Sequence, residues 1–174
     1  MRIISGNHKG RRISAPKNLP VRPTTDRAKE ALFNILENRY NLNGKKILDL
    51  FSGTGNISFE FSSRCSASIT SVDKNVKCIN FIKEVSNEYQ FNIKTIQSDS
   101  IKFIKKTQDK FDIIFVDPPY NYSKYQELKD LIIQDNLIND HGCLIIEHDK
   151  NTIFEDKNIE LRKYGNVHFS LFSL

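Results

Sequence analysis

The sequence has few of the features that indicate a disulfide-stapled, metal-bound or membrane-embedded protein. Its three cysteines, Cys65, Cys78 and Cys143, are far apart and form no C-x-x-C, and its four histidines are isolated from one another. This spacing argues against a disulfide framework and a zinc site, and is typical of packed thiols in a reducing compartment. No apolar run approaches the roughly 20 residues that span a bilayer, and the N-terminus lacks a secretory apolar stretch. We therefore expect a cytoplasmic protein with no metal and no membrane contact.

The sequence also contains no repeats and no low-complexity segments, which favours a single domain. Its 174 residues, 39% hydrophobic and 27% charged, suit a single domain with one sizeable core. Three prolines, Pro16, Pro20 and Pro23, separate the N-terminal residues from the rest of the chain. Before them, residues 3–4 and 12–13 resemble short strands joined by a turn over 6–10. The prediction is a small arm with a hairpin, residues 1–23, before a domain of residues 24–174.

Positive charge is concentrated at the N-terminus. Residues 1–29 contain eight Lys and Arg against one Asp, a net charge of +7, whereas the remainder carries −2. A local basic patch on a nearly neutral body favours docking of a polyanion such as a nucleic acid. The alternative is a basic arm that is simply solvated.

Beyond the basic segment, helical and strand periodicities alternate. Thr24 or Thr25 can cap a helix whose apolar face includes Leu32, and this helix is predicted to end between residues 40 and 44. Strand-like runs then occur at 46–51, 69–73, 93–97, 111–116 and 143–146. Helical patterns separate them at 57–63, 76–85, 101–104 and 125–132. This alternation predicts an α/β fold, a mostly parallel sheet with helices on both faces.

The C-terminal residues do not follow this alternation of strands and helices. Only Gly165 and Asn166 separate strand-like runs at 159–164 and 167–172, which is too little chain for a crossover helix. An antiparallel hairpin is therefore predicted, and it brings the sheet to seven strands.

A glycine-rich loop follows the first strand. Asp49 ends the buried run and precedes Gly53 and Gly55, while Ser58 stands where a dinucleotide-binding loop would have its third small residue. A carboxylate at this place repels a pyrophosphate and attracts a cation, such as the sulfonium and ammonium of S-adenosylmethionine. The alternative is an aspartate that only caps the loop.

Two further acids follow the next two strands. Asp73 is placed to accept hydrogen bonds from ribose hydroxyls, and Asp99 to accept one from an adenine amino group. Singly, each of these acids is more often a helix cap than a ligand.

The motif Asp117-Pro118-Pro119-Tyr120 follows the fourth apolar run directly. Two prolines hold the backbone extended, so the Asp117 carboxylate and the Pro118 carbonyl can accept hydrogen bonds from one amino group, while Tyr120 stacks on its base. The reference pKa of about 3.9 predicts that Asp117 is ionised at neutral pH, so that it can take up a proton. The alternative is a rigid strand-to-loop turn.

Together these motifs resemble class I amino-methyltransferases. The N-terminal segments 2–6, 9–12, 22–27 and 30–36 narrow the resemblance to the RsmD family of 16S ribosomal RNA guanine-N2 methyltransferases. It implies a Rossmann-like fold, S-adenosylmethionine as cofactor, 16S ribosomal RNA or the small ribosomal subunit as partner, and a monomer.

The resemblance also implies roles for individual residues. Those expected at the reacting amine are Asp117, Pro118, Pro119 and Tyr120. Those expected at the cofactor are Asp49, Phe51, Ser52, Gly53, Thr54, Gly55, Asp73, Lys74, Asp99 and Ser100. Those expected to meet RNA are Arg2, Lys9, Arg11, Arg12, Arg22, Thr25 and Arg27.

Two other functions remain open at this stage. Adenine-N6 methyltransferases share the Asp-Pro-Pro-Tyr motif, although sequence-reading DNA enzymes generally carry an added recognition domain, which a chain of this size lacks. A non-catalytic RNA-binding protein would need the basic segment but neither Asp49 nor Asp117.

Overall fold

Seven strands form one sheet at the centre of the computed structural model, which describes residues 1–16, 19, 24–119, 121–156 and 159–173. They are β1 (Lys46–Leu50), β2 (Ser68–Asp73), β3 (Ile93–Gln97), β4 (Phe111–Val116), β5 (Ile138–His148), β6 (Glu160–Tyr164) and β7 (Val167–Ser173). Their order across the sheet is β3-β2-β1-β4-β5-β7-β6. The first five are parallel, and β7 pairs antiparallel with both β5 and β6. The predicted fold class is confirmed.

Helices cover both faces of this sheet. They are α1 (Asp26–Arg39), α2 (Asn56–Arg64), α3 (Val76–Tyr89), α4 (Ser100–Ile104) and α5 (Tyr125–Gln134). Alternate side chains of β4 point to opposite faces, so Phe115 packs in the cluster that contains Leu32 of α1, and Ile114 packs in the cluster that contains Leu128 of α5. No helix in the described part of the chain is long and apolar enough to cross a membrane.

The strand β5 begins five residues earlier than the sequence predicts. Residues 139–142 have the composition of a turn, and His141 adopts a positive φ of 62°, yet they continue the strand from Ile138. The register against β4 shifts here, between Phe111 and Ile113. Such an irregularity inserts residues into a strand without ending it, which explains why composition alone places the start too late.

The N-terminal segment packs closely on the body of the protein. Arg2 and Arg12 form an antiparallel bridge, the predicted hairpin. Ile3 and Ile13 are buried in a cluster with Ile82 of α3. The described residues 1–16 are therefore anchored by apolar contacts rather than only solvated.

A buried ion pair fixes this hairpin to the helices. Lys29 of α1 is 1% exposed and Glu60 of α2 is 0% exposed, and their charged atoms lie 3.0 Å apart. Glu60 also accepts hydrogen bonds from the backbone N–H groups of Ile4 (2.9 Å) and Ser5 (3.0 Å) and from Arg64 (2.7 Å). Because both charges are compensated, they can be buried together.

Lys29 uses the rest of its donor capacity as well. Its ammonium donates to the carbonyl of Arg2 at 2.7 Å and to the Asn56 side chain at 2.8 Å, in addition to Glu60. Desolvation nevertheless lowers the pKa of Lys29 below its ordinary value, against the opposing effect of Glu60. The pair therefore depends on every one of these partners.

Replacing Glu60 with glutamine is expected to lower the free energy of unfolding by about 3–5 kcal/mol, because Lys29 and Arg64 would then be buried without their shared counter-charge. Urea denaturation followed by circular dichroism measures this loss. The control is Glu127→Gln, which removes an ion pair to Lys124 on the surface and should cost less than about 1 kcal/mol. Similar losses in the two variants would contradict the assignment.

Candidate active site

The glycine-rich loop after β1 has left-handed backbone conformations and is hydrogen-bonded to the end of β2. Gly53 and Gly55 have φ values of 52° and 76°, which favour glycine, and Phe51 adopts a φ of 59° despite its side chain. The Ser52 N–H donates to the carbonyl of Val72 at the end of β2, 3.0 Å away. A strained backbone that persists because its surroundings hold it is typical of a ligand-binding loop.

Asp49 lies at the floor of the site, at the end of β1. It is 1% exposed, and Ser58 of α2 donates its hydroxyl hydrogen to the Asp49 carboxylate at 2.5 Å. Burial raises the pKa of Asp49 to about 7, although the bond from Ser58 opposes the shift. The serine at the third small position of the loop is thus explained, since it is the direct partner of this acid.

Asp73 connects the end of β2 to the loop. Its carboxylate accepts hydrogen bonds from the backbone N–H groups of Gly53 and Asn75, both at 2.8 Å. A carboxylate offers about four lone-pair positions, so capacity remains for two further donors. Lys74 follows directly and faces the same cavity.

Asp117 lies beside the loop because β4 neighbours β1. Leu50 pairs with Val116, and the Asp117 N–H donates to the Leu50 carbonyl at 3.2 Å. Pro118 is buried and Pro119 is exposed. The carboxyl ends of β1 and β4 therefore lie side by side. Two ligands bound at this edge of the sheet can then be in contact, which the transfer of a group between them requires.

The charge of Asp117 differs from the sequence-based expectation. Desolvation, then the neighbouring carboxylates of Glu147 and Asp49, raise its pKa well above the ordinary value. Assigning it the reference pKa was wrong, because that value describes a solvated carboxyl without acidic neighbours. Asp117 is instead a carboxyl of increased basicity.

These elements enclose a cavity of about 500 Å³, a volume suited to a small organic ligand. The predicted residues that line it are Asp49, Phe51, Ser52, Gly53, Thr54, Asp73, Lys74, Asp117, Pro118 and Pro119. Its further lining comes from Thr24, Asn56, Ile57, Asn75, Phe115, Asn121 and Glu147. The Ser52 hydroxyl is buried there with no hydrogen-bond partner among the described residues. That hydroxyl suits a polar ligand.

Three predicted cofactor residues lie outside this lining. Gly55 caps α2, and Asp99 caps α4 by accepting a hydrogen bond from the Lys102 N–H at 3.1 Å, next to the buried Ser100. Tyr120, predicted to stack on the base, lies outside the described residues. Within the described ranges no group of acids, histidines and cysteines could hold a metal ion.

Glu147 is the acidic residue of the cavity that the sequence motifs do not include. It follows the apolar run of β5 just as Asp117 follows β4, and it is 3% exposed. The hydroxyl of Thr24 donates to it at 2.7 Å, and burial raises its pKa to about 7. The available signal was a fifth acid, placed directly after the apolar run of residues 143–146.

Two of the predicted RNA-binding arginines contact helices beside the hairpin. Arg2 forms a half-exposed ion pair with Asp26 of α1 at 3.1 Å. At the far end of the hairpin, Arg11 lies over the ring of Tyr89 of α3, 5.5 Å from its centre.

The other predicted RNA-binding residues are placed as follows. Lys9, Arg12 and Arg27 are exposed, Thr25 caps α1 by accepting a hydrogen bond from the Ala28 N–H, and Arg22 lies outside the described residues.

Comparisons with known proteins give the relatives of this chain. The model of the family described as conserved hypothetical protein 95 matches residues 1–173. The ribosomal RNA small subunit methyltransferase D of Buchnera aphidicola subsp. Baizongia pistaciae is 30% identical over 99% of this chain and 91% of its own length. The protein of that name from Buchnera aphidicola subsp. Acyrthosiphon pisum is 36% identical over 92% and 85%.

Solved structures agree on the fold. A hypothetical protein of a Thermus species aligns with a TM-score of 0.89 at 23% identity, over 100% of this chain and 99% of that one. A coclaurine N-methyltransferase and a precorrin-6y C5,15-methyltransferase of Geobacter metallireducens align with lower TM-scores of 0.57 and 0.67, at 22% and 12% identity. The family model and both relatives span nearly the whole chain, and the chain therefore belongs to the ribosomal RNA small subunit methyltransferase D family.

Proposed function

We propose that this chain transfers a methyl group from S-adenosylmethionine to the exocyclic N2 amino group of a guanine in the RNA of the small ribosomal subunit. The observation that carries the proposal is the pairing of β1 with β4, which brings Asp49 and Asp117 to one cavity from two motifs 68 positions apart in the sequence. Since one chain supplies the cavity lining described above, we propose that a monomer is sufficient.

The cavity residues suit this cofactor chemically. Asp49 supplies a carboxylate for its cationic end, Asp73 has lone pairs left for the ribose hydroxyls, and the Ser52 hydroxyl has no other partner among the described residues. The bound cofactor supplies an electrophilic methyl group on a sulfonium. A cation in the cavity also lowers the pKa of the carboxyls that face it, so the acids become better acceptors when the site is filled.

Asp117 and Pro118 orient the amine in this proposal. The lone pair of an aromatic amine is delocalised into its base, and two acceptors on its hydrogens favour a pyramidal nitrogen with a localised lone pair. The Asp117 carboxylate is one acceptor and the Pro118 carbonyl is the other. Pro118 and Pro119 restrict the backbone that carries both groups, because each ring fixes φ at about −65°.

Asp117 also receives the proton that leaves the nitrogen. The methylated amine is strongly acidic, so no strong base is needed, and a carboxylate of raised pKa is better matched to this step than an exposed one. The proton moves from nitrogen to a carboxylate oxygen of Asp117. Solvent can then remove it after the product leaves.

Replacing Asp117 with alanine is expected to reduce methyl transfer by at least about 100-fold, the effect of a lost general base, while cofactor binding persists. Mass spectrometry of nucleosides after reaction with ribosomal RNA measures the product, and calorimetry measures the binding. Asp109→Ala, which changes an exposed aspartate, is the control. Full activity of the Asp117 variant would overturn the mechanism, and N6-methyladenosine as product would favour the adenine alternative.

The rate is expected to depend on pH. Asp117 accepts a proton only when ionised, and its raised pKa means that this form is lost at a higher pH than for an exposed aspartate, whose pKa is about 3.9. The kcat/KM, which reports the ionisation of the free enzyme, should therefore keep rising with pH above the range in which an exposed aspartate is already fully ionised. Glu147→Gln removes a charge that raises the pKa of Asp117, so the rise should move to lower pH. A flat profile between about pH 5 and 8 would contradict the assignment.

The basic hairpin is expected to contact RNA phosphates. Replacing Arg11 and Arg12 with alanine should weaken RNA binding and flatten the plot of log affinity against log salt by up to about 1.5 to 2, because two counterion-releasing contacts are lost. Binding measured at several potassium chloride concentrations tests this. The control pair, Lys105 and Lys106, lies outside the hairpin and is also exposed. An unchanged slope in the arginine variant would count against the docking surface.

A further inference from the structure

Glu147 lies next to Asp117 at the carboxyl edge of the sheet. Val116, the last residue of β4, pairs with Ile146 of β5, so the residues that follow them lie near each other at this edge of the sheet. Both line the same cavity. The proposed amine therefore has a second carboxylate beside the Asp117 and Pro118 acceptors.

A chain of hydrogen bonds fixes the position of Glu147. Thr24 donates its hydroxyl hydrogen to one carboxylate oxygen at 2.7 Å. The carbonyl of Thr24 in turn accepts from the Asn56 side chain at 3.0 Å, and Asn56 accepts from the buried ammonium of Lys29 at 2.8 Å. One bond from a neutral hydroxyl leaves most of the acceptor capacity of the carboxylate available to the cavity.

A guanine presents two neighbouring donors to such an arrangement. Its N1–H lies beside the N2 amino group on the Watson–Crick edge, and enzymes that act on extruded bases read that edge by hydrogen bonds. Adenine has an unprotonated N1, whose lone pair a carboxylate would repel. The Asp-Pro-Pro-Tyr motif, which guanine and adenine enzymes share, holds only the amine, so the choice of base needs a further group.

We propose that Glu147 is a specificity-determining residue that accepts the N1–H of the target guanine while Asp117 and Pro118 hold its N2 amine. The inference rests on the proposed function and deepens it, since it assigns the group that selects guanine. A purely structural role would leave the carboxyl group of Glu147 buried with the Thr24 hydroxyl as its one hydrogen-bond donor among the described residues, which is a costly arrangement whenever the group is ionised. Guanine binding would supply the missing charge-assisted hydrogen bond.

The test compares guanosine with 2-aminopurine at the methylated position of a small-subunit ribosomal RNA fragment. 2-Aminopurine keeps the reacting amine but carries an unprotonated N1. Wild-type kcat/KM should favour guanosine by at least about 10-fold, the value of one hydrogen bond to a charged group. In Glu147→Gln the side-chain amide can donate to that N1, so the preference should fall by about 10-fold or more. Glu155→Gln, an exposed change outside the cavity, should keep the wild-type ratio.

Each outcome decides for or against the proposal. A wild-type enzyme that uses both bases equally overturns it, and this result does not depend on whether the variant folds. An unchanged preference in Glu147→Gln overturns it as well. Loss of activity on both bases with intact cofactor binding also overturns it, because Glu147 would then serve the chemistry instead of the choice of base. Failure of the proposed function is distinct, since the wild-type enzyme would then form no N2-methylguanosine.

Discussion

The buried ion pair between Lys29 and Glu60 is the interaction on which the arrangement of the rest depends. It joins α1 to α2, and through Glu60 it binds the backbone of the N-terminal hairpin. Through Asn56 and Thr24 the same ammonium is connected to Glu147 in the cavity. Apolar side chains could fill this space with similar or greater stability, but they would not fix a direction. The polar network sets the position of the basic hairpin relative to the cavity, and under the proposed function it would thereby set that of a docked RNA relative to the amine to be methylated.

The cavity has the opposite electrostatic character, because three of its carboxyls form no ion pair with any described residue. Asp49, Asp117 and Glu147 are brought together by strands that must be adjacent for other reasons, and burial raises the pKa of each. Such a cluster destabilises the fold at neutral pH, where ionisation is opposed by desolvation and like charge. Under the proposed function, a cationic cofactor and a donor-rich base would relieve that cost on binding. The concentration of perturbed acids is therefore a property of a binding site rather than of a structural core.

The strand and helix pattern could be predicted from the sequence because strands buried on both faces read as continuous apolar runs. The early start of β5 could not, since residues 139–142 have turn composition and His141 has a positive φ. The cavity residues Asp49, Asp73 and Asp117 could be predicted because each lies at the end of a strand-like run. The pKa of Asp117 could not, because it depends on desolvation in the folded cavity and on Glu147, which is 30 positions away in sequence. The role of Ser58 likewise required the contact with Asp49.

The position of β7 has a consequence for synthesis of the chain. It is the last strand along the sequence, yet it lies inside the sheet, between β5 and β6. Until residues 167–173 have been made, the backbone groups of β5 that face β7 are unpaired over residues 143–148. An open edge of that length invites pairing with another chain. Nascent chains that stop before β7 should therefore be the most prone to aggregate. Pairing of β7 with β5 then covers the exposed edge of that strand.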